Sequence, residues 1–284
     1  MQEVEIMKRL AIGIFQMKGR EDPEINLKII EHALVEAKSR SADIVVFPEM
    51  SMGVFSREKT PSMFSPCYTN FVATISKLAQ TYSIDVVSTA WEPGREKEHP
   101  YNTSLFISRE GLIISSYRKL HLFDSLGFSE SSYIKAGEEP PEAIEYNGIK
   151  LGLSICYDVR FPELYRYQAQ KGVEVSIVSA AWYQGTLKER HLHTLLQARA
   201  IENTMFVVCA DLCGRGFCGR SCAFDPYGVK ILEMGEEEGM GMVYIEKTRL
   251  NEVRKKLPCL SHIKKKIFFS SSTFNNEKLI VDAP

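Results

Sequence analysis

Short apolar runs rich in β-branched residues recur along this chain, and segments of helical periodicity separate them. That alternation constrains the fold more than any other feature. Residues 10–15, 44–47, 84–90, 150–155, 173–179 and 205–211 read as strands. Asp22 and Pro23 mark a helix start, an N-cap followed by proline at the first helical position. Leu27, Ile30, Leu34 and Ala37 then follow at helical spacing. Further helices are predicted over 71–82, with Phe71, Ile75, Leu78 and Tyr82 on one face, over 162–171, closed by Gly172, and over 187–203. Two hairpins interrupt the alternation. Runs 102–107 and 112–117 flank Ser108-Arg109-Glu110-Gly111, and runs 221–224 and 229–234 flank Asp225-Pro226-Tyr227-Gly228. Residues 242–245 close the set. The pattern predicts an α/β layered protein with one mixed sheet or two sheets. No Pro/Gly/Ser-rich linker divides the chain, so one domain is expected over residues 1–284. Its core spans about 8–255, and a tail of about 256–284 carries a basic run and Ser270-Ser271-Ser272.

Composition narrows the function classes. Of 284 residues, 44% are hydrophobic, enough apolar surface to exclude intrinsic disorder. Lys plus Arg is 35 and Asp plus Glu is 36, a net charge of −1. Near-neutrality argues against a protein built to grip a nucleic-acid backbone. No apolar run of about 18 residues exists, so no membrane-spanning helix is expected. Residues 1–8 alternate charged and apolar side chains and lack a signal-peptide core, which makes cytoplasm the expected compartment. Seven cysteines, an odd number in a long chain, fit free thiols better than a disulfide framework.

Three reactive side chains stand where strands stop. Glu49 follows Val45-Val46-Phe47-Pro48, Lys119 follows 113–118, and Cys156 follows 151–155. Ligands of α/β sheets sit at the carboxyl ends of strands, so three parallel neighbouring strands would bring these groups together. A thiol becomes a strong nucleophile when a nearby base or cation promotes the thiolate. A carboxylate can take that proton and hand it to a leaving amine, and a fixed ammonium can stabilise an oxyanion. Acid, cation and thiol therefore suffice to hydrolyse an amide-type C–N bond. Taken singly, each has a commoner role: solvated loop residue, surface charge, small buried apolar side chain. Spacing alone leaves an α/β domain with a candidate thiol nucleophile.

Longer motifs surround these residues. They are Val46-Phe47-Pro48-Glu49-Met50, Tyr117-Arg118-Lys119-Leu120-His121-Leu122-Phe123, and Ile155-Cys156-Tyr157-Asp158-Val159-Arg160-Phe161-Pro162-Glu163-Leu164. Gln197-Ala198-Arg199-Ala200-Ile201-Glu202-Asn203 and Asp225-Pro226-Tyr227-Gly228 follow in order. Together they resemble the carbon–nitrogen hydrolase (nitrilase) superfamily. The resemblance implies a four-layer α-β-β-α sandwich with a Glu-Lys-Cys triad: Glu49 as general base, Lys119 as oxyanion lysine, Cys156 as nucleophile. It implies a second glutamate, best matched by Glu130, with Glu138 and Glu139 as substitutes. The backbone N–H of Tyr157 would join Lys119 at the oxyanion, and Trp182 and Tyr183 would wall the pocket. The octad from Cys156 to Glu163 resembles the amidase branch, which includes ω-amidases and deaminated-glutathione amidases. The expected substrate is thus a small carboxamide, above all an ω-amide of a dicarboxylic or keto acid. Nitriles and N-carbamoyl compounds are alternatives for the same triad, and a catalytically silent binding protein on this fold is an alternative of another class. No cofactor is called for, since nucleophile, base and oxyanion donor are all side chains. The resemblance also implies a dimer or larger homo-oligomer, with helix 187–203 and the tail after Lys264 as interface elements.

Other residues carry structural expectations. Asp158, Arg160 and Glu163 are expected to pair with one another and hold the nucleophile turn. Arg199 and Glu202, three apart on a helix, fit an ion pair. His121 is expected to be structural, with no His/Asp pairing evident. Pro162 near a helix start would make the turn of the Cys156 thiol rigid, and the helix N-terminus would favour thiolate. Cys209, Cys213, Cys218 and Cys222 have the count for a zinc site but not the spacing of zinc knuckles, so no metal is expected.

Overall fold

The computed structural model of the chain describes residues 9–56, 58–95 and 99–264. Residues 1–8 and most of the expected tail, 265–284, lie outside them. Besides two short two-stranded hairpins, Asp124–Ser125 with Phe128–Ser129 and Cys213–Gly214 with Phe217–Cys218, the strands in chain order are β1 (Arg9–Gln16), β2 (Ile44–Val46), β3 (Asp85–Glu92), β4 (Tyr101–Ile107), β5 (Ile113–Arg118), β6 (Ile144–Tyr146), β7 (Ile149–Ile155), β8 (Val175–Ala180), β9 (Phe206–Asp211), β10 (Cys222–Phe224), β11 (Lys230–Glu233) and β12 (Gly239–Glu246). The helices that matter here are α1 (Pro23–Ser39), α2 (Tyr68–Tyr82), α3 (Pro162–Gln170), α4 (Lys188–Asn203) and α5 (Lys247–Lys256).

The strands form two six-stranded sheets, ordered β12-β1-β2-β3-β4-β5 and β11-β10-β9-β8-β7-β6. Three strands at the centre of each sheet are parallel, β1-β2-β3 and β7-β8-β9, and antiparallel strands flank them. Period-two alternation explains why sheet stacks on sheet. Ile12, Ile14, Ile44 and Val46 share one core cluster with Leu151, Leu153 and Ile177 of the second sheet. Their neighbours Phe15, Val45 and Phe47 join Leu27, Ile30 and Leu34 of α1 and Phe71 and Ile75 of α2 in another. Leu164 and Tyr165 of α3 and Leu192, Leu196 and Ala200 of α4 pack with the second sheet. The layers are therefore helix, sheet, sheet, helix, as the resemblance implied.

Local signals behave as the sequence predicts. Asp22 caps α1, its carboxylate accepting from the Glu24 N–H at 2.9 Å. Gly111 closes the first hairpin with φ +80°, donating to Ser108 O at 2.7 Å. The short strand β6 was not anticipated, although Asn147 and Gly148, at φ +49° and +81°, turn it into β7. That pair is a strong hairpin signal. No helix of the described residues is long and apolar enough to cross a membrane.

A truncation series tests the layer assignment. Ile12, fully buried between the sheets, and Val35, half exposed on α1, carry similar side chains in opposite surroundings. Ile12→Ala is expected to cost about 2–5 kcal/mol in denaturant unfolding and Val35→Ala less than about 0.5 kcal/mol. Equal costs would contradict the assignment.

Candidate active site

Glu49 sits in the loop leaving β2. Thr89 Oγ1 donates to Pro48 O at 3.2 Å, and the Glu49 N–H donates across to Ala180 O of the other sheet at 3.3 Å. Lys119 is the first residue after β5. Its N–H donates to Asn102 O at 2.9 Å, and its carbonyl accepts from the Gly137 N–H at 2.8 Å. A Cβ on Gly137 would lie 2.4 Å from Arg118 O, so only glycine permits that approach. Cys156 ends β7 and opens a 3₁₀ turn, Cys156–Arg160, with its own backbone at φ +43°. A non-glycine residue in the left-handed region costs on the order of 1 kcal/mol and persists only where surroundings enforce it. Asp158 enforces it here. Its Oδ2 accepts from the Ile155 N–H at 2.9 Å and from Tyr117 Oη at 2.8 Å. Its Oδ1 takes His121 Nδ1 at 2.7 Å.

The three strands are not parallel neighbours. β2 and β5 run the same way but are separated by β3 and β4, and β7 belongs to the other sheet. Convergence comes instead from stacking the sheets with their strand ends on one side. Lys119 Nζ donates to Glu49 Oε1 at 2.8 Å and to both oxygens of Glu130 at 2.9 Å. Glu49 Oε1 also accepts from Asn102 Nδ2 at 2.8 Å, and its Oε2 from the Ala181 N–H at 3.0 Å. Glu130 Oε2 accepts from the Phe123 N–H at 2.6 Å. Glu49, Lys119 and Glu130 are all at most 2% exposed.

Burial sets the protonation states. It would push the Lys119 ammonium down, but Glu130 and Glu49 outweigh it and hold Lys119 well above the ordinary lysine value. Burial and then the Glu49 charge push the Cys156 thiol well above the ordinary cysteine value, against the pull of Lys119 and the Ala181 N–H. These surroundings work against the thiolate that the turn was expected to favour. Burial also raises Glu130, against Lys119.

Residues 11–255 match the carbon–nitrogen hydrolase family. The chain belongs to that family. It is 33% identical over 244 residues to the deaminated glutathione amidase of Escherichia coli O157:H7, covering 84% of this chain and 91% of that one. It is 33% identical over 250 residues to the 2-oxoglutaramate amidase of Bacillus subtilis strain 168, covering 87% and 94%. Among solved structures, the amidase of Nesterenkonia sp. AN1 superposes with a TM-score of 0.79 at 25% identity, covering 91% of this chain and 95% of that one. That structure is a mutant with the acetamide moiety of fluoroacetamide added covalently at its active site cysteine.

In this carbon–nitrogen hydrolase a narrow cleft of about 30 Å³ opens onto the buried charges. Every site residue singled out in the sequence lines it: Glu49, Lys119, Glu130, Cys156, Tyr157, Trp182 and Tyr183. Glu138 and Glu139 do not; they are exposed along a wider groove of about 920 Å³ beside β5, away from the thiol. Sequence reasoning missed Asn102, which clamps Glu49, and Phe123 and Lys188 in the cleft wall. Asn102 sits among strand residues, and nothing in its spacing marks it.

Two structural expectations are corrected. Asp158, Arg160 and Glu163 make no mutual ion pairs among the described residues. Asp158 binds Tyr117 and His121, Arg160 lies 4.9 Å over the Trp182 ring, and Glu163 is exposed. His121 does pair with an aspartate, while stacking on Phe161 at 3.6 Å. The four clustered cysteines divide into two cross-strand pairs, Cys209 opposite Cys222 and Cys213 opposite Cys218. Among the described residues no group of three or more His, Cys, Asp or Glu side chains could hold a metal. Arg199 does pair with Glu202 at 2.7 Å, and its Nε donates to Val159 O at 2.9 Å, so it also steadies the Cys156–Arg160 turn.

Removing Lys119 leaves two carboxylates buried with no cation between them. Lys119→Met is expected to lose about 3–5 kcal/mol of stability. The sign of its pH dependence follows. Carboxyls whose folded pKa rises above the unfolded value bind more protons folded than unfolded, so stability falls as pH rises. The variant's Tm is expected to drop from pH 5 to pH 8 more steeply than the wild type's. Parallel Tm curves would contradict the charge assignment.

Proposed function

We propose that this enzyme converts a small carboxamide and water into a carboxylic acid and ammonia through a thioester on Cys156, and that its preferred substrates are ω-amides of dicarboxylic or keto acids. One observation carries the reading: a thiol in a strained turn lines the same cleft as a buried Glu49–Lys119–Glu130 cluster. The relatives named as amidases support the reaction class.

Glu49 takes the Cys156 proton while the sulfur lone pair forms the C–S bond. The carbonyl π pair moves onto oxygen, where the Lys119 ammonium and the Tyr157 N–H receive it. Tyr157 follows the first residue of its 3₁₀ turn, and N–H groups at a helix start lack intrahelical acceptors. Collapse breaks the C–N bond, and Glu49 returns its proton to the leaving nitrogen, releasing ammonia. A water then attacks the thioester as Glu49 removes its proton, and the thiol leaves with that proton restored. Proton transfer from Cys156 to Glu49 conserves the charge of the buried cluster, so the low-dielectric site is spared an added ion. Glu130 acts on Lys119, holding its ammonium in place. Neither step needs a cofactor.

The reading extends to the whole protein: one domain over 1–284, a cytoplasmic location and a homo-oligomer. Free cysteines at all seven positions support a reducing compartment. Exposed Ile201 on α4, packed against Gly228, with exposed Tyr227 and Val229 nearby in the chain, supports an apolar contact surface.

Ammonia release should be measured over a panel of amides, nitriles and N-carbamoyl compounds. Amides are expected to turn over. Cys156→Ala and Glu49→Gln are expected to lose about a thousandfold or more in kcat with unchanged Tm for Cys156→Ala. Intact-mass detection of an acyl adduct on wild type but not on Cys156→Ala completes the test. Wild-type activity in Cys156→Ala would overturn the proposal.

A further inference from the structure

One cation in the cleft has no counter-ion among the described residues. Lys188 begins α4 and lines the cleft beside Cys156. Three Lys or Arg residues are buried among the described residues: Lys119, Arg199 and Lys188. Lys119 is held by two glutamates and Arg199 by Glu202. Lys188 has no described carboxylate within 4.0 Å. Its ammonium faces rings instead, 5.2 Å from the Phe123 centroid and 5.3 Å from that of Trp182.

The rest of the residue is fixed. Trp182 Nε1 donates to Lys188 O at 2.8 Å, and the Lys188 N–H donates to Gly185 O at 3.1 Å. The preceding residue, Leu187, adopts φ +58° to turn the chain into α4 at this point. Arg160 brings a second cation to the same indole, 4.9 Å over Trp182, also without a described carboxylate partner. Burial and then the Arg160 charge lower the Lys188 pKa, while Cys156 is near enough to raise it. Two like charges around one indole, one of them buried, are unfavourable unless an anion joins them.

We propose that Lys188, backed by Arg160, binds the free carboxylate at the far end of the amide substrate and so selects short ω-amides of dicarboxylic acids over neutral amides. This rests on the amidase reading of the same cleft. The substrate's amide meets Cys156 and Lys119 at one end of the cleft, its methylenes lie along Phe123 and Trp182, and its carboxylate meets the ammonium. Charge-assisted hydrogen bonds of this kind are the strong ones, and rejecting a neutral isostere leaves the cation unpaired only in the wrong complex.

Succinamate and butyramide form a matched pair, alike except that a carboxylate replaces a methyl group. Wild type is expected to show a kcat/KM ratio for succinamate over butyramide of about tenfold or more. Lys188→Met is expected to cut that ratio about tenfold through KM, Lys188→Arg to retain most of it, and Lys188→Glu to bring it below one. A wild-type ratio of one or less overturns the proposal without any variant. So does an equal loss on both substrates in Lys188→Met, which would mark a structural role. Succinate binding by calorimetry, to Cys156→Ala and to Cys156→Ala/Lys188→Met, separates this proposal from the amidase reading. Succinate binding lost only in the double variant, with no turnover of any amide by wild type, sustains the carboxylate site and overturns the amidase reading. Turnover of amides with equal succinate binding in both proteins overturns the carboxylate site and leaves the amidase reading intact.

Discussion

A single ammonium group, that of Lys119, holds the site together. It bridges Glu49 from the first sheet's centre and Glu130 from the connection after β5, all three sealed from water. Without it, two carboxylates in a low-dielectric pocket would repel each other or take up protons. With it, Glu49 is held beside Cys156 by a fixed cation. Burial, and then the Glu49 charge, push the Cys156 thiol well above the ordinary cysteine value. In the proposed mechanism the nucleophile is generated only as Glu49 takes the proton, which would couple activation to attack on a bound substrate. The same lysine would receive the oxyanion, so that ground-state neutralisation and transition-state stabilisation would share one group.

The fold supplies this arrangement by stacking two similar sheets. Each presents parallel central strands whose carboxyl ends meet on the same side. Glu49 leaves one sheet and Cys156 the other, and cross-sheet contacts lock the register: Glu49 N–H to Ala180 O, Ala181 N–H to Glu49 Oε2, and Ser179 Oγ to Phe47 O at 2.8 Å. The Ala181 N–H also faces the thiol. One backbone segment thus contacts both Glu49 and Cys156. Strain at Cys156 is maintained from a third direction, by Asp158 and its ties to Tyr117 and His121.

Much of this was legible in the sequence because the signals were local. The Asp22-Pro23 helix start, the Gly111 turn and the alternation through Ile12, Ile14, Ile44 and Val46 each depend on a few adjacent residues. The three reactive residues were found at strand ends, but the reason given for their meeting was wrong. Strand order cannot be read from periodicity, and the true cause is packing between sheets. Asn102 was invisible for a related reason: its role depends on β4 lying beside the Glu49 loop, not on its own neighbours. The Asn147-Gly148 turn was legible and was passed over, because Ile144-Glu145-Tyr146 is too short to stand out as a strand. Lys188 stood in the sequence only as part of the helix expected over 187–203. Its unpaired state emerges only when every nearby carboxylate has been located.

The central claim is that the buried Glu49–Lys119–Glu130 cluster leaves Cys156 protonated until substrate binds. The ultraviolet absorbance of thiolate, recorded for wild type minus Cys156→Ala across a pH titration, reads that state directly, since the other cysteines cancel. The account predicts no thiolate signal from Cys156 at pH 7 and its emergence only above the ordinary cysteine range. A full thiolate signal at pH 7 would contradict it.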